Sequence, residues 1–307
     1  MYTFEDIVGE SENIRRVKEL GEKASNTGSS VLIYGDTGTG KELIVQAIHE
    51  ASVRRNRNFI PQNCAAIPEN LLESIFFGTS KGSFTGAESQ VGLFELAHRG
   101  TLYLDELNSM PINFQGKLLR VLQDGEVRRV GDAASKKVDV RIIASLNENP
   151  EDLVEQGRLR KDLYYRLNVI RINLPNLNDR KEDIPLLVKC FVEKFNERFN
   201  KAITGVSTEA LQGLVKHDYE GNIRELEHII EGAFNIRSQG VIELKDLYLR
   251  EKVKAFADWS LKDKLEYYEK KYIKEAVILA DYNISKAAKF LDIPRQTLQY
   301  KMKKYNI

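Results

Sequence analysis

Cysteine is scarce: Cys64 and Cys190 are the two in 307 residues, far apart and without paired spacing. That pattern excludes a disulfide framework and a zinc site, and it predicts two reduced thiols. Long apolar runs are missing as well. No stretch reaches the roughly 18 residues a membrane span requires, and "MYTFEDIVGE" has neither a basic n-region nor an apolar h-region. A cytoplasmic protein with no membrane contact is expected. Charge of one sign is absent too, since 46 Lys and Arg face 45 Asp and Glu for a net +1. Any nucleic-acid contact must therefore come from a local cluster rather than a global field. No internal repeat or low-complexity tract is present. What remains is 42% hydrophobic and 30% charged, ordinary for a soluble protein, with a length that suggests about two domains.

Strand-like and helix-like segments alternate from Val31 to about Ile172: "SVLIYG", a helical stretch from Lys41, "GTLYLDE", "FQGKLLRVLQDG" and "VDVRIIASLN". Short β-rich runs between longer periodic segments predict βαβ units, a parallel sheet with helices on both faces. After "INLPNLNDRKEDIP" the strands are expected to stop, and Asp183 to Gly240 reads as a helical subdomain. The expected organisation is an α/β subdomain over 1–172, a helical lid over 173–240, a linker over 241–260 containing Trp259, and an all-α domain over 261–307.

"GDTGTGKE", comprising Gly35, Asp36, Thr37, Gly38, Thr39, Gly40, Lys41 and Glu42, fits G-x-x-x-x-G-K, follows a strand and opens a helix. Backbone amides freed by glycine to approach closely make an anion cradle, and Lys41 adds a point charge for the outer phosphates of ATP. Glu42 stands where a hydroxyl residue usually ligates magnesium, so Mg2+ would depend on water and on acidic groups elsewhere. "GTLYLDELNSMP" supplies them: Asp105 would hold Mg2+ and Glu106 would polarise the attacking water. Without the phosphate loop upstream, such a pair would read as a solvated turn. Asn147 ends the next strand and could orient that water or sense the γ-phosphate, or serve as a turn residue. Arg160 and Arg166 in "GRLRKDLYYRLNV" are open to two readings. They are surface arginines satisfied by Asp162 or Glu155, or cations donated across a subunit boundary to stabilise transition-state charge.

"NISKAAKFLDIPRQTLQYKMKKY" has the form of a helix-turn-helix: Ala287 and Ala288 allow close packing, and "LDIP" makes the turn. The second helix carries Arg295, Gln296, Thr297, Gln299, Tyr300 and Lys301; with Ser285 and Lys286 on the first, these are the candidate DNA contacts. A basic amphipathic helix that is merely solvated is the alternative.

With these motifs in view, the chain resembles the bacterial enhancer-binding proteins, the AAA+ activators of sigma-54 RNA polymerase. The resemblance runs from "FEDIVGES" at Phe4 to the end and is carried by "GDTGTGKE", "NCAAIPENLLES", "KGSFTGA", "GTLYLDELNSMP", "LLRVLQDGEVRRVG", "GRLRKDLYYRLNV", "LNDRKEDIPLL", "EGNIRELEHIIEGA" and a Fis-type helix-turn-helix. "LYLDELNSMP" and "NIRELEHIIEGA" look closest to activators of arginine and amino-acid catabolism in Gram-positive bacteria.

The resemblance implies an α/β AAA+ P-loop ATPase with a helical lid and a Fis-type domain. "GSFTGA" (Gly82, Ser83, Phe84, Thr85, Gly86 and Ala87) is similar to the family's GAFTGA loop, which implies a mobile contact with sigma-54 and explains a bare aromatic on a glycine-rich loop. Asn63 would restrain Glu106, Arg160 and Arg166 would be trans-acting fingers, and Arg224 in "GNIREL" a second sensor on the lid. Enhancer DNA bound as a dimer and a ring hexamer in the active state are implied as well. Family members commonly carry an N-terminal receiver, GAF or PAS domain. Here the AAA+ module begins almost at once, so the expectation is a piece of a longer protein or control supplied in trans.

Three departures carry expectations of their own. Ser83 replaces an alanine and would retune the sigma-54 contact. Thr79 and Ser80 stand where an aromatic or His and a Glu are usual, so the coupling at the loop's base would differ. Tyr219 and Glu220 replace Trp and Pro, which would loosen the lid near Arg224. The expected function is ATP-driven activation of sigma-54 RNA polymerase from enhancer DNA. The competing reading is a DNA-binding regulator with the AAA+ fold that does not engage sigma-54; five of the six GAFTGA letters argue against it. A general AAA+ remodeller or helicase loader would not need this loop and this tail together.

Overall fold

Five apolar runs pair side by side into one parallel sheet. A computed structural model of the chain describes residues 1–82, 88–249, 260–280 and 283–305, which fall in two compact units, Met1–Leu249 and Arg250–Ile307. In the first unit the strands are β1 (Val31–Tyr34), β2 (Phe59–Asn63), β3 (Gly78–Thr79), β4 (Gln90–Val91), β5 (Thr101–Asp105), β6 (Glu126–Arg128), β7 (Ser135–Lys137), β8 (Arg141–Leu146) and β9 (Ile170–Asn173). The parallel sheet takes the order β2-β5-β8-β1-β9, while β3 with β4 and β6 with β7 form small antiparallel hairpins. The helices are α1 (Glu12–Ser25), α2 (Lys41–Glu50), α3 (Leu72–Phe77), α4 (Leu93–Leu96), α5 (Ile112–Asp124), α6 (Pro150–Glu155) and α7 (Lys161–Leu167).

Strand side chains alternate between two cores because successive residues point to opposite faces. Val31, Ile33, Tyr103 and Ile143 pack against Ile14, Val17, Ile44 and Ile48 of α1 and α2. Leu32, Leu102, Leu104, Ile142 and Ala144 pack against Phe76, Phe114 and Leu118 on the other side. Burial on both faces is what a parallel sheet demands, and β8 is buried along its whole length. Every sheet strand therefore ends its C-terminal edge at the same side, where β1 delivers the phosphate loop and β5 the acidic pair.

The lid that follows is not purely helical. Besides α8 (Ile184–Phe199), α9 (Thr208–Lys216) and α10 (Asn222–Ile236), it contains two short parallel strands, β10 (Ala202–Val206) and β11 (Gln239–Ile242). Ile203 and Ile242 bury into the core of Phe195, Leu226, Ile230 and Phe234, and Asn196 clamps both the N–H and the C=O of Ile203, at 2.9 and 2.7 Å. Runs this short, interrupted by Gly205 and Gly240, carry too little period-two pattern to be read as strands. Ile242 and Leu247, which fall in the stretch expected as linker, belong to the lid core. Residues 250–259, Trp259 among them, lie outside the described residues.

Among its described residues the second unit has three helices, α11 (Leu261–Leu279), α12 (Ile284–Phe290) and α13 (Arg295–Tyr305). Ile273, Ala276, Val277, Ala280, Ala287, Ala288 and Leu298 form its core. The small residues let the helices approach as expected. Asn283 caps α12 through the Ser285 and Lys286 N–H groups, both at 3.1 Å, and Asp292 takes φ +50° in the turn before α13.

Candidate nucleotide site and DNA-contacting helix

The phosphate loop leaves β1 at Gly35 and closes at Gly40, which caps α2 with φ +96°. Gly38 has φ +81°. Both lie in the left-handed region open to glycine, and this turns the loop's amides toward the helix N-terminus. Thr39 is buried and donates to Asp36 O at 2.7 Å. Lys41 donates to Gly35 O at 2.7 Å and Asp36 O at 3.1 Å. Burial pulls its ammonium below the ordinary lysine range, against the opposing pull of Asp105, Glu106 and Asp36. Glu42 is exposed and accepts from Gln46 at 3.0 Å, one turn along α2.

Asp105 ends β5 with one carboxylate oxygen fully engaged: Oδ1 accepts from Tyr103 Oη at 2.8 Å, Ser145 Oγ at 2.5 Å and the Glu106 N–H at 3.1 Å. Burial next to this carboxylate pushes the Tyr103 phenol far above its usual range, so it stays a donor. Glu106 sits at φ 52°, ψ 48°, a left-handed conformation unusual for a residue with a side chain. Asn63 pairs in register with Asp105, but its Oδ1 accepts from Ala65 N at 2.8 Å rather than engaging Glu106. Asn147 follows β8 with a buried amide oxygen that has no partner.

A cavity of about 400 Å3 is lined on one side by Thr37 to Glu42, Asp105, Glu106 and Arg224, and on the other by the apolar Ile7, Val8, Leu187 and Phe191. The combination suits a nucleotide: amides and cations for phosphates, an apolar wall for a base. A divalent cation fits the donor set as well. The Asp105 carboxylate is aimed by three donors on one oxygen and lines the cavity together with Glu106.

The lid reaches the phosphate loop directly. Asn222 Nδ2 donates to Thr37 O at 3.1 Å, and the Ile223 N–H donates to Gly38 O at 3.0 Å. Asn176 Nδ2 holds the Asp36 carboxylate at 2.8 Å. Arg224 is exposed at the start of α10, facing the cavity. Tyr219 is 1% exposed, its hydroxyl donates to Leu214 O at 2.8 Å, and Asn178 pins its backbone at both N–H and C=O, each at 3.0 Å. Tyr103, Ser145, Asn176 and Asn222 are the positioning residues that sequence reasoning missed. The one available signal was polar side chains beside, rather than inside, the recognised motifs.

Gly38 tests this contact. A Cβ there would lie 2.2 Å from Gly221 O, on top of the left-handed backbone penalty. Gly38→Ala is expected to weaken nucleotide binding at least about tenfold by lifting the lid from the loop, read by titration with a fluorescent nucleotide. Gly28→Ala, where nothing lies within 4 Å, serves as the silent control. Equal affinities in the two would remove the lid contact from the argument.

Arg160 and Arg166 do not line the cavity of their own chain. Arg160 pairs with Asp162 at 2.8 Å, and Arg166 donates to Leu122 O at the end of α5 at 2.7 Å. Both remain exposed despite these local partnerships.

Ser83 to Ala87 of "GSFTGA" lie outside the described residues; the flanking base does not. Thr79 Oγ1 donates to Glu88 O at 2.7 Å, Ser80 Oγ to Asp132 Oδ2 at 3.3 Å, and Arg129 to Ser89 Oγ at 3.2 Å. Arg129 also takes the buried Glu95 carboxylate at 2.6 Å with Lys136 at 2.7 Å, which holds Glu95 down at about 2. The base is thus closed by neutral hydroxyls plus one ion-pair cluster.

On α13, Leu298 faces the core while Arg295, Gln296, Gln299 and Tyr300 are exposed and Thr297 is half-buried. Lys301 turns the other way, into an ion pair with Glu269 of α11. Its place on the helix puts it beside the core stripe rather than on the outer face. Ser285 and Lys286 are exposed or nearly so at the start of α12.

Fold and site together define an AAA+ P-loop NTPase module with a helical lid, accompanied by a helix-turn-helix domain. Residues 7–173 match the sigma-54 interaction domain, 178–256 the AAA+ ATPase lid domain, and 264–305 the Fis family of bacterial regulatory proteins. The chain belongs to the sigma-54-dependent transcriptional activators. It is 48% identical over 320 residues to the transcriptional activator RocR of Bacillus subtilis (strain 168), spanning 99% of this chain and 69% of that protein. It is 43% identical over 296 residues to the regulatory protein AtoC of Escherichia coli (strain K12), spanning 93% and 64%. The signal-transduction and transcriptional-control protein of Clostridium beijerinckii is 43% identical, and the chain spans 49% of its length. Among solved structures, NtrX from Brucella abortus in complex with ADP superposes with a TM-score of 0.75 at 33% identity, over 98% of this chain and 69% of that one.

Proposed function

We propose that this chain hydrolyses ATP with Mg2+ and uses the turnover to remodel sigma-54 RNA polymerase at a promoter, while α12 and α13 hold it on enhancer DNA in the cytoplasm. The observation that supports it most is the convergence of Lys41, Asp105, Glu106 and Arg224 on one cavity, in a chain whose residues 7–173 match the sigma-54 interaction domain. Lys41 and the loop amides bind the phosphates. Asp105 would hold the cation, which supplies charge neutralisation on the phosphate oxygens. Glu106 takes the proton of the attacking water, Asn147 orients that water, and Asn63 swings from Ala65 to restrain Glu106 between turnovers. Arg224 reports phosphate occupancy to the lid. Arg160 and Arg166 complete the site of a neighbouring copy, which requires a closed ring, a hexamer in this reading. Arg295, Gln296 and Gln299 read base edges, with Ser285 and Lys286 on phosphates and two copies per site.

The test is a native-gel assay for a complex with sigma-54 in ADP and aluminium fluoride. Wild-type chain is expected to form the complex and Thr85→Ala to lose it while keeping its ATPase. A chain that hydrolyses ATP yet forms no complex would mean a DNA-binding regulator that does not engage sigma-54.

A further inference from the structure

Gln115 is a polar residue buried completely at the end of the first turn of α5, between Phe114 and the apolar Leu118 and Leu119. An amide at that depth is costly unless every polar atom is satisfied, and here each is. Its Nε2 donates to Met110 O and to Arg158 O, both at 2.9 Å, and its Oε1 accepts from the Arg160 N–H at 2.9 Å. Two carbonyls and one N–H also fix which way the amide points.

These partners join two functional segments. Met110 ends the turn Leu107–Ser109 that directly follows Glu106, and Arg158 to Arg160 is the segment that presents the Arg160 guanidinium. A second tie runs in parallel. Glu148, the neighbour of Asn147, grips Arg158 with both oxygens, at 2.5 and 2.7 Å, and accepts from Asn108 of the same turn at 3.1 Å. Arg160 itself lies across Gly116, where an added Cβ would stand 3.4 Å from its Nη1.

We propose that Gln115, backed by Glu148, is a positioning residue for hydrolysis at the neighbouring copy's site: it fixes the Arg160 segment to the turn behind this copy's own Glu106. The proposal rests on Arg160 acting across the subunit boundary. A shift of the acidic turn in one site is then carried, through one amide and one ion pair, to the cation offered to the next.

Gln115→Met keeps the volume and removes all three bonds, and Glu148→Gln weakens the outer tie at an exposed pair where folding is not at risk. Each is expected to bind ADP as wild type does and to lose about 100-fold in kcat, the scale of a displacement near 1 Å. The decisive readout is mixing with Glu106→Ala, which has a dead site and an intact finger. In an equimolar ring about a quarter of the boundaries pair an intact site with an intact finger, so turnover should rise well above that of either variant alone. Arg160→Ala mixed with Glu106→Ala is the reference. If that reference recovers and the Gln115→Met and Glu148→Gln mixtures do not, the positioning role is wrong. If the reference fails as well, the trans-acting reading of Arg160 falls and takes the proposal with it. Full activity of both variants on their own overturns it directly. If Gln115→Met melts early or fails to bind ADP, the Glu148→Gln mixture decides.

Discussion

Glu106→Ala is expected to bind ATP and scarcely hydrolyse it, with kcat down about a thousandfold, the middle of the range for removing a positioned general base. The backbone argument favours alanine as the probe. Glu106 holds φ 52°, ψ 48°, a conformation that costs roughly 1–2 kcal/mol for any residue with a Cβ. Alanine carries the same cost, so the turn, fixed by Asp105 Oδ1 and Ser145 Oγ on the Glu106 N–H at 3.1 and 3.3 Å, keeps its shape. Glycine would relax it and confuse the result. Removing a negative charge from a cavity that receives polyphosphate should also leave affinity equal or tighter, never weaker. Phosphate release together with nucleotide titration separates the two quantities. Turnover near that of wild type would remove Glu106 as the base and leave Asp105 to be examined for the role.

The phosphate loop, the acidic pair and the turn at "LDIP" are legible in sequence because each is contiguous: glycines, a lysine and the flanking periodicity lie within a few residues of one another. The lid's β10 and β11 are not, because each has at most five residues and both depend on a partner more than thirty positions away. The same holds for the residues that hold the site in shape. Tyr103 lies two residues from Asp105 and Ser145 forty away, and only the parallel register of β5 with β8 makes them neighbours. Gln115 was visible as a polar residue on an apolar helix stripe, yet its partners Arg158 and Arg160 are over forty positions on. The partner of Lys301 was hidden for a different reason. Its basic character suits DNA, and the helix phase that brings it to Glu269 is not visible in composition.

Lys41→Met is expected to abolish nucleotide binding without harming the fold. The ammonium is partly withdrawn from water, and that burial, rather than its carboxylate neighbours, dominates its environment, drawing its pKa down. Its donors go to the loop's own carbonyls, Gly35 O and Asp36 O. Replacing the cation by an apolar chain of similar length removes a desolvation cost and loses two modest hydrogen bonds. Thermal stability should consequently stay near that of wild type. Binding behaves otherwise, because a unit charge about 4 Å from a phosphate is worth about 4 kcal/mol at an effective dielectric of 20, or about a thousandfold in Kd. Its loss also leaves Asp36, Asp105 and Glu106 facing an anion with one fewer cation between them. Calorimetric titration with ADP, beside a thermal melt of the same sample, checks both halves. Retained affinity would move the phosphate contact to the loop amides alone, whereas lost affinity with a collapsed melt would make Lys41 a residue of the fold rather than of the site.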